Sequence, residues 1–135
     1  MDELHKILTD NISHDMSFTV TVDGLPPKIV IKVFQSVTMA YYMGKREASG
    51  FTLYVSIENV SGKGKKIVGE LTRDILKQFK TVSEKRWLVL LYDFGEDIDS
   101  IVDKVGEILD RLKVISPDFV PALTVSKTTE MHRLE

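Results

Sequence analysis

The chain has 135 residues, of which 43% are hydrophobic and 28% are charged. These values are typical of one folded domain and exclude a disordered chain. The absence of cysteine excludes disulfides and thiolate chemistry, so a zinc site would need histidine and carboxylate ligands alone. The net charge of −2 excludes the strongly basic surface of a typical DNA-binding domain, and we expect no DNA partner.

The sequence contains no candidate membrane span, because no apolar run approaches the roughly 20 residues that a spanning helix requires. Its first residues include acids where a secretory signal would carry basic residues. We therefore expect a cytoplasmic protein with no membrane partner. We predict a single α+β domain over residues 1–127 and a flexible tail over 128–135, in which Leu134-Glu135 has the sequence of a cloning remnant.

The first half of the chain predicts a short helix followed by four strands. Over residues 3–12, Leu4, Ile7 and Leu8 lie on one side of a helix. Four segments then have the alternation or the apolar content of β-strands: 16–22, 28–34, 37–43 and 51–58. We interpret them as an antiparallel β-meander, with the almost continuously apolar segment 28–34 in its interior.

The second half predicts two amphipathic helices. Apolar residues recur at steps of four from Ile67 to Phe79, which favours a helix over this range. A second apolar stripe follows an acidic cluster of Asp93, Glu96, Asp97, Asp99 and Asp103. Such a cluster could hold a magnesium ion, but acidic side chains favour a helix N-terminus, so capping is the preferred interpretation.

Two further strands complete the predicted fold. They are expected at 87–93 and 120–126, and Pro121 would restrict the second of them to an edge of the sheet. The predicted order is α-β-β-β-β-α-β-α-β, an antiparallel meander packed against two amphipathic helices with a short N-terminal helix. Four aromatic residues are predicted to lie in the core: Phe18, Tyr41, Phe51 and Trp87.

The clearest candidate for a ligand site is the basic segment between strand 51–58 and the next helix. Its residues are Ser61, Gly62, Lys63, Gly64, Lys65 and Lys66. Free N–H groups at a helix N-terminus attract anions, and the lysines add positive charge. The segment is neither a Walker A loop nor a dinucleotide fingerprint. Two interpretations stay open: a site for phosphate, pyrophosphate or a carboxylate, and a solvated loop whose glycines serve turn geometry.

The same segment resembles a loop of a known enzyme family. Asn59-Val60-Ser61-Gly62-Lys63-Gly64 is similar to the acyl-CoA pyrophosphate loop of the GNAT superfamily of N-acetyltransferases, a (Q/R)xxGx(G/A) pattern between a strand and a helix. Asn59 stands where that pattern has Gln or Arg. The resemblance implies an acyltransferase with acyl-CoA as its cofactor, held by the backbone from Gly62 to Lys66.

The sequence contains no recognisable catalytic or metal-binding motif. His5, His14 and His132 are far apart and have no neighbouring residues at a catalytic or metal-ligand spacing. We interpret them as surface residues. We expect a protein that is not an enzyme and that has no metal site and no cofactor.

Aromatic and basic residues are neighbours at two places, as they are in RNA-binding sheets. These are Tyr41-Tyr42 with Lys45-Arg46, and Trp87 with Lys85-Arg86. Because the chain is mildly acidic and lacks an RNP-type motif, core packing and ordinary surface charge are the preferred interpretation. RNA is not an expected partner.

The sequence therefore favours a small non-catalytic module that binds a protein partner and forms a homodimer. The predicted order of helices and strands also resembles that of the small homodimeric type III secretion chaperones. That resemblance implies a homodimer that binds segments of partner proteins. The alternative function is binding of a phosphorylated ligand or acyl-CoA at Gly62–Lys66.

Overall fold

The computed structural model describes residues 2–12, 17–37 and 49–128. Within these ranges the chain forms three helices and six strands in the order α-β-β-β-α-β-β-α-β. In chain order they are α1 (Asp2–Asn11), β1 (Ser17–Asp23), β2 (Ile29–Gln35), β3 (Phe51–Glu58), α2 (Gly62–Thr72), β4 (Lys80–Glu84), β5 (Trp87–Gly95), α3 (Ile98–Ile115) and β6 (Ala122–Thr128).

The six strands form one antiparallel sheet in the order β4-β5-β3-β2-β1-β6. Strands β1, β2 and β3 pair in succession, and β5 pairs with both β3 and β4. The predicted α+β class and the interior position of segment 28–34 are thus confirmed. The last strand, β6, lies at an edge of the sheet and begins directly after Pro121. Pro121 has no backbone N–H to donate to a neighbouring strand, which agrees with this position.

One face of the sheet, called here the inner face, packs against the helices. Alternate strand residues supply one side of this core: Phe18, Val20, Val22, Ile31, Val33, Phe51, Leu53, Val55, Ile57, Leu88 and Leu90. The helices supply the other: Leu4, Leu8, Ile67, Leu71, Ile101, Val105, Ile108 and Leu112. Each fully buried side chain of this size stabilises the fold by about 1.5–3 kcal/mol. The predicted core positions of Phe18 and Phe51 are confirmed, and their ring centroids lie 5.9 Å apart.

Helix α2 is shorter at its C-terminus than the sequence predicted. It ends at Thr72, and residues 73–78 form turns. The Thr72 hydroxyl donates to the Val68 carbonyl, and the Leu76 N–H donates to the Leu71 carbonyl, five residues back. Both bonds disturb the helical hydrogen-bond pattern. Ile75, Leu76 and Phe79 remain buried in the core although they lie beyond the helix.

Strand β4 was not predicted. The sequence analysis placed no strand between Phe79 and Trp87, yet Lys80–Glu84 pairs with β5. Val82 is the only large apolar residue of this strand, so its sequence lacks the alternation that reveals the other strands.

Some predictions concern residues outside the described ranges. They include most of the predicted strand 37–43, the core position of Tyr41, the aromatic–basic pair at Tyr41-Tyr42 and Lys45-Arg46, and the residues His14 and His132. Thr128, the first residue of the predicted tail, is the last residue of β6.

Candidate binding surface

The sheet face opposite the helices, called here the outer face, has a shallow depression across β2, β3 and β5. It is lined by Val30, Lys32, Tyr54, Ser56, Trp87 and Val89. Strand register brings these residues to one side, because directly paired residues of an antiparallel sheet share a face. Val30 is paired with Ser56, and Ser56 is paired with Val89.

Apolar and aromatic side chains of the depression are only half-buried. Val30, Tyr54, Trp87 and Val89 are of intermediate exposure, and none belongs to the apolar cluster that the described helices cover. Phe34 extends the aromatic surface, since its ring meets Tyr54 edge to face with centroids 5.6 Å apart. This combination differs from an ordinary solvated sheet face, which carries mainly polar residues.

A buried carboxylate lies between two cations next to Trp87, a residue that lines the depression. Glu58 is paired with Trp87 across the strands and is 7% exposed. Lys28 Nζ lies 3.3 Å from Glu58 Oε1, and Arg86 Nη2 lies 3.9 Å from Glu58 Oε2. The Glu58 N–H also donates to the Lys28 carbonyl over 2.8 Å. Glu58 thus pairs with both basic side chains and offsets one of their two positive charges.

Lys28 itself has an unusual backbone conformation. Its φ is +86°, which non-glycine residues adopt only at a cost. The hydrogen bond of its carbonyl with Glu58 and the ion pair of its side chain with the same residue both favour this conformation. Lys32, in contrast, makes no ion pair with any residue of the described part of the chain.

A polar network joins β2, β3 and β5 at the opposite end of the sheet. The Ser36 hydroxyl donates to Asp93 Oδ1 over 2.7 Å and lies 2.9 Å from Thr52 Oγ1. The Gly95 N–H donates to the same carboxylate oxygen over 2.8 Å. Gly50 has a φ of +79° and lies close to Gly95. A Cβ on Gly50 would lie 1.9 Å from the carbonyl oxygen of Gly95. Asp93 therefore has a structural role here.

Capping explains Asp97, another member of the predicted acidic cluster. Asp97 is the N-cap of α3, where its carboxylate accepts from the Ser100 N–H over 3.2 Å. Asp99 is exposed and lies 2.9 Å from His5 Nε2 of α1. Within the described ranges, no group of three or more histidine and acidic residues has the geometry of a metal site.

The basic segment predicted as a loop is the first turn of α2. The helix begins at Gly62, and the N-cap Ser61 accepts the Gly64 N–H with its hydroxyl over 3.0 Å. Gly64 is needed for close packing, since a Cβ there would lie 1.6 Å from the Glu58 carbonyl oxygen. A Cβ on Gly62 would meet nothing within 4 Å. Neither glycine has the positive φ of a turn glycine.

The lysines of this turn point into solvent. Lys63, Lys65 and Lys66 are exposed and form no ion pair with another described residue. They are close together in sequence at the positive end of the helix dipole. Anion binding at Ser61–Lys66 stays a prediction.

The sequence analysis missed the outer face as a site. It assigned Trp87 to the core, which is wrong: Trp87 lies on the outer face, opposite Glu58. The available signal was the alternation of β3, which places Thr52, Tyr54 and Ser56 on the face opposite its apolar residues.

No family model, no curated protein and no solved structure matches this chain. Among the described helices, none is long and apolar enough to cross a membrane. Function is therefore inferred from the chain's own side chains.

Proposed function

We propose that this protein is a non-catalytic module that binds a segment of a partner protein on its outer face. The observation that supports this function is the depression in which Val30, Tyr54, Trp87 and Val89 are half-buried side by side. Aromatic side chains at the centre of an apolar surface are typical of the residues that dominate protein–protein binding.

The depression also suggests the chemistry of the partner segment. Apolar side chains of the partner would pack against Tyr54 and Trp87. A carboxylate of the partner would pair with Lys32, which lines the same depression and has no acidic partner among the described residues. We therefore propose a segment that combines apolar residues with an acidic one.

The distribution of charge favours a protein partner over single-stranded RNA. Aromatic side chains can stack on bases, but RNA binding also needs cations that are available to phosphates. Glu58 already pairs with Lys28 and Arg86 at this face. Lys32 is the one cation among the residues that line the depression, which gives little positive charge for the phosphates of an RNA strand.

The test begins with capture of the partner from the native cell by a photoreactive phenylalanine analogue in place of Tyr54. The captured protein is then purified and titrated against the module. Trp87 is the only tryptophan, so its fluorescence reports directly on the depression. Removing one central aromatic contact costs at least about 2 kcal/mol, so Tyr54→Ala should weaken binding roughly 30-fold.

The matched control is Val114→Ser, which changes a side chain that is 78% exposed near the end of α3. It should leave the affinity unchanged. Equal affinities for the wild-type chain, Tyr54→Ala and Lys32→Ala would refute the outer face as the binding surface.

Anion binding at the first turn of α2 is a second candidate function. It is supported by the exposed lysines Lys63, Lys65 and Lys66 at a helix N-terminus. Acyl-CoA is the ligand that the resemblance to the N-acetyltransferase loop suggests. A ¹⁵N NMR titration with acetyl-CoA, ATP and phosphate should shift the amides of Gly62 and Gly64. If these amides do not move, or move equally in Lys63→Glu, this candidate is wrong.

The proposal includes a cytoplasmic location and a homodimeric state. Fractionation of the native cells with an antibody against the chain tests the compartment, and partition with the membrane or the medium would contradict it.

A further inference from the structure

The two edge strands of the sheet differ in their protection against pairing with another chain. β4 has five residues and carries Lys80 and Glu84, and its register with β5 shifts between Thr81 and Ser83. Short length, charged side chains and bulges are the usual features by which edge strands avoid a further strand.

β6 has fewer of these features, since its one charged residue, Lys127, lies next to its C-terminal end. Its seven residues pair with β1 in an uninterrupted register from Ser17–Thr128 to Asp23–Ala122. Residues Ala122–Ser126 include no charged side chain. At the midpoint of the strand, Val125 is 38% exposed. Such an edge offers a regular row of N–H and C=O groups to another strand.

We propose that β6 pairs in antiparallel orientation with β6 of a second copy of this chain, about a twofold axis through Val125. Two identical strands in antiparallel orientation are self-complementary, as a twofold interface requires. When the pair is centred on Val125, the midpoint of the strand, all seven residues of β6 lie opposite residues of the second β6. The two sheets then form one continuous sheet.

The side chains also favour this register. Val125 of each copy lies opposite Val125 of the other, so this exposed apolar side chain is covered. Thr124 lies opposite Ser126 of the second copy on the outer-face side, since Thr124 pairs with Thr21 and Ser126 with Thr19 of β1. Pairs of β-branched residues and pairs of hydroxyl residues each stabilise antiparallel sheets.

The dimer does not depend on what binds at the outer face, because β6 shares no residue with the depression. The twofold axis is perpendicular to the sheet, so the helices of both copies lie on one side and both depressions lie on the other. Failure of the dimer and failure of the outer-face function are therefore distinguishable.

Sedimentation velocity from micromolar to submillimolar concentration tests the dimer. The wild-type chain should dimerise as concentration rises. Val125→Lys would place two like charges opposite each other, and it should raise the dissociation constant at least about tenfold. Circular dichroism verifies that the variant folds, and Thr81→Lys on the exposed edge of β4 is the matched control that should still dimerise.

A cysteine substitution tests the register itself, because the chain has no native cysteine. Val125→Cys should form a disulfide-linked dimer on mild oxidation much faster than Thr124→Cys, whose copies would be offset by two residues. A wild-type chain that stays monomeric would overturn the proposal and leave β6 for a strand of another protein. A dimer that Val125→Lys does not weaken would also overturn it.

Discussion

Gly64 connects α2 to the sheet, because the backbone of the helix passes directly over the end of β3. A Cβ at this position would lie 1.6 Å from the Glu58 carbonyl oxygen, and backbone atoms cannot move aside as a flexible side chain can. We predict that Gly64→Ala lowers the free energy of unfolding by about 2–3 kcal/mol. Urea denaturation followed by circular dichroism measures the change.

Gly62 provides the control for this prediction, since a Cβ there meets nothing within 4 Å. Gly62→Ala should leave stability unchanged or raise it slightly, because alanine restricts the unfolded chain. If both variants had the same free energy of unfolding, the packing role of Gly64 would be wrong.

The ion pairs of Glu58 are expected to stabilise the end of β3. Its side chain is 9% exposed and lies 3.3 Å from Lys28 Nζ. Glu58→Gln keeps the shape but removes the charge, and we predict a loss of about 1 kcal/mol in the free energy of unfolding. Arg86 contributes less, since its side chain is 72% exposed and solvent screens the interaction.

Glu107→Gln is the matched control for Glu58→Gln. Glu107 is 53% exposed and pairs with Lys104 three residues earlier on α3. Its loss should cost less than about 0.5 kcal/mol. Urea denaturation measures the free energy of unfolding of both variants. Equal losses of this free energy would show that burial does not strengthen the ion pair of Glu58.

At the scale of elements, the start of α3 depends on one side chain. Asp97 accepts from the Ser100 N–H and from the Ser100 hydroxyl. We predict that Asp97→Ala lowers the free energy of unfolding by about 1 kcal/mol, the usual effect of losing an N-cap. Asp99→Ala, which removes a carboxylate that is 84% exposed, should cost less than half as much. Thermal denaturation of the two variants gives the comparison, and the reverse order would contradict the capping role.

The elements that the sequence predicted well are those whose apolar residues recur with a clear period. β3 was predicted with the same ends, Phe51 and Glu58, because its apolar residues alternate without interruption. α3 has an apolar residue on one side in every turn from Ile98 onward. In both, the period of the apolar residues and the period of the backbone coincide.

The two errors at this scale have different causes. Ile75 and Phe79 continue the helical spacing of Ile67 and Leu71, but the chain leaves the helix after Thr72 while these residues stay buried. Periodicity reports which residues are buried and does not fix the backbone conformation. β4 has the opposite problem, because an edge strand with little burial has little pattern.

For the whole molecule, the candidate binding surface arises from pairing between distant segments. Val30, Ser56 and Val89 are neighbours in space through two strand pairs. The alternation of β3 predicted which of its residues avoid the core, but no local pattern predicts which residues of β2 and β5 lie beside them. The basic turn at Ser61–Lys66 was found from the sequence because its residues are consecutive.

The rates of amide hydrogen exchange should differ among the strands of the sheet and should report on the proposed dimer. β3 lies between β2 and β5 and contains mostly buried residues, so its amides should exchange only when the whole domain unfolds. Amides of the edge strand β4 should exchange much faster. Among the described strands β6 pairs on one edge only, and the proposed dimer pairs the other edge, so its protection should rise with protein concentration.

Exchange followed by mass spectrometry at micromolar and submillimolar concentration measures these rates. We predict that protection of β6 rises at least tenfold over this range in the wild-type chain and stays constant in Val125→Lys. β4 is the internal control, because its rate should not depend on concentration. If β4 gained protection and β6 did not, the second copy would bind at the other edge of the sheet, where charge and the register shift make pairing less favourable.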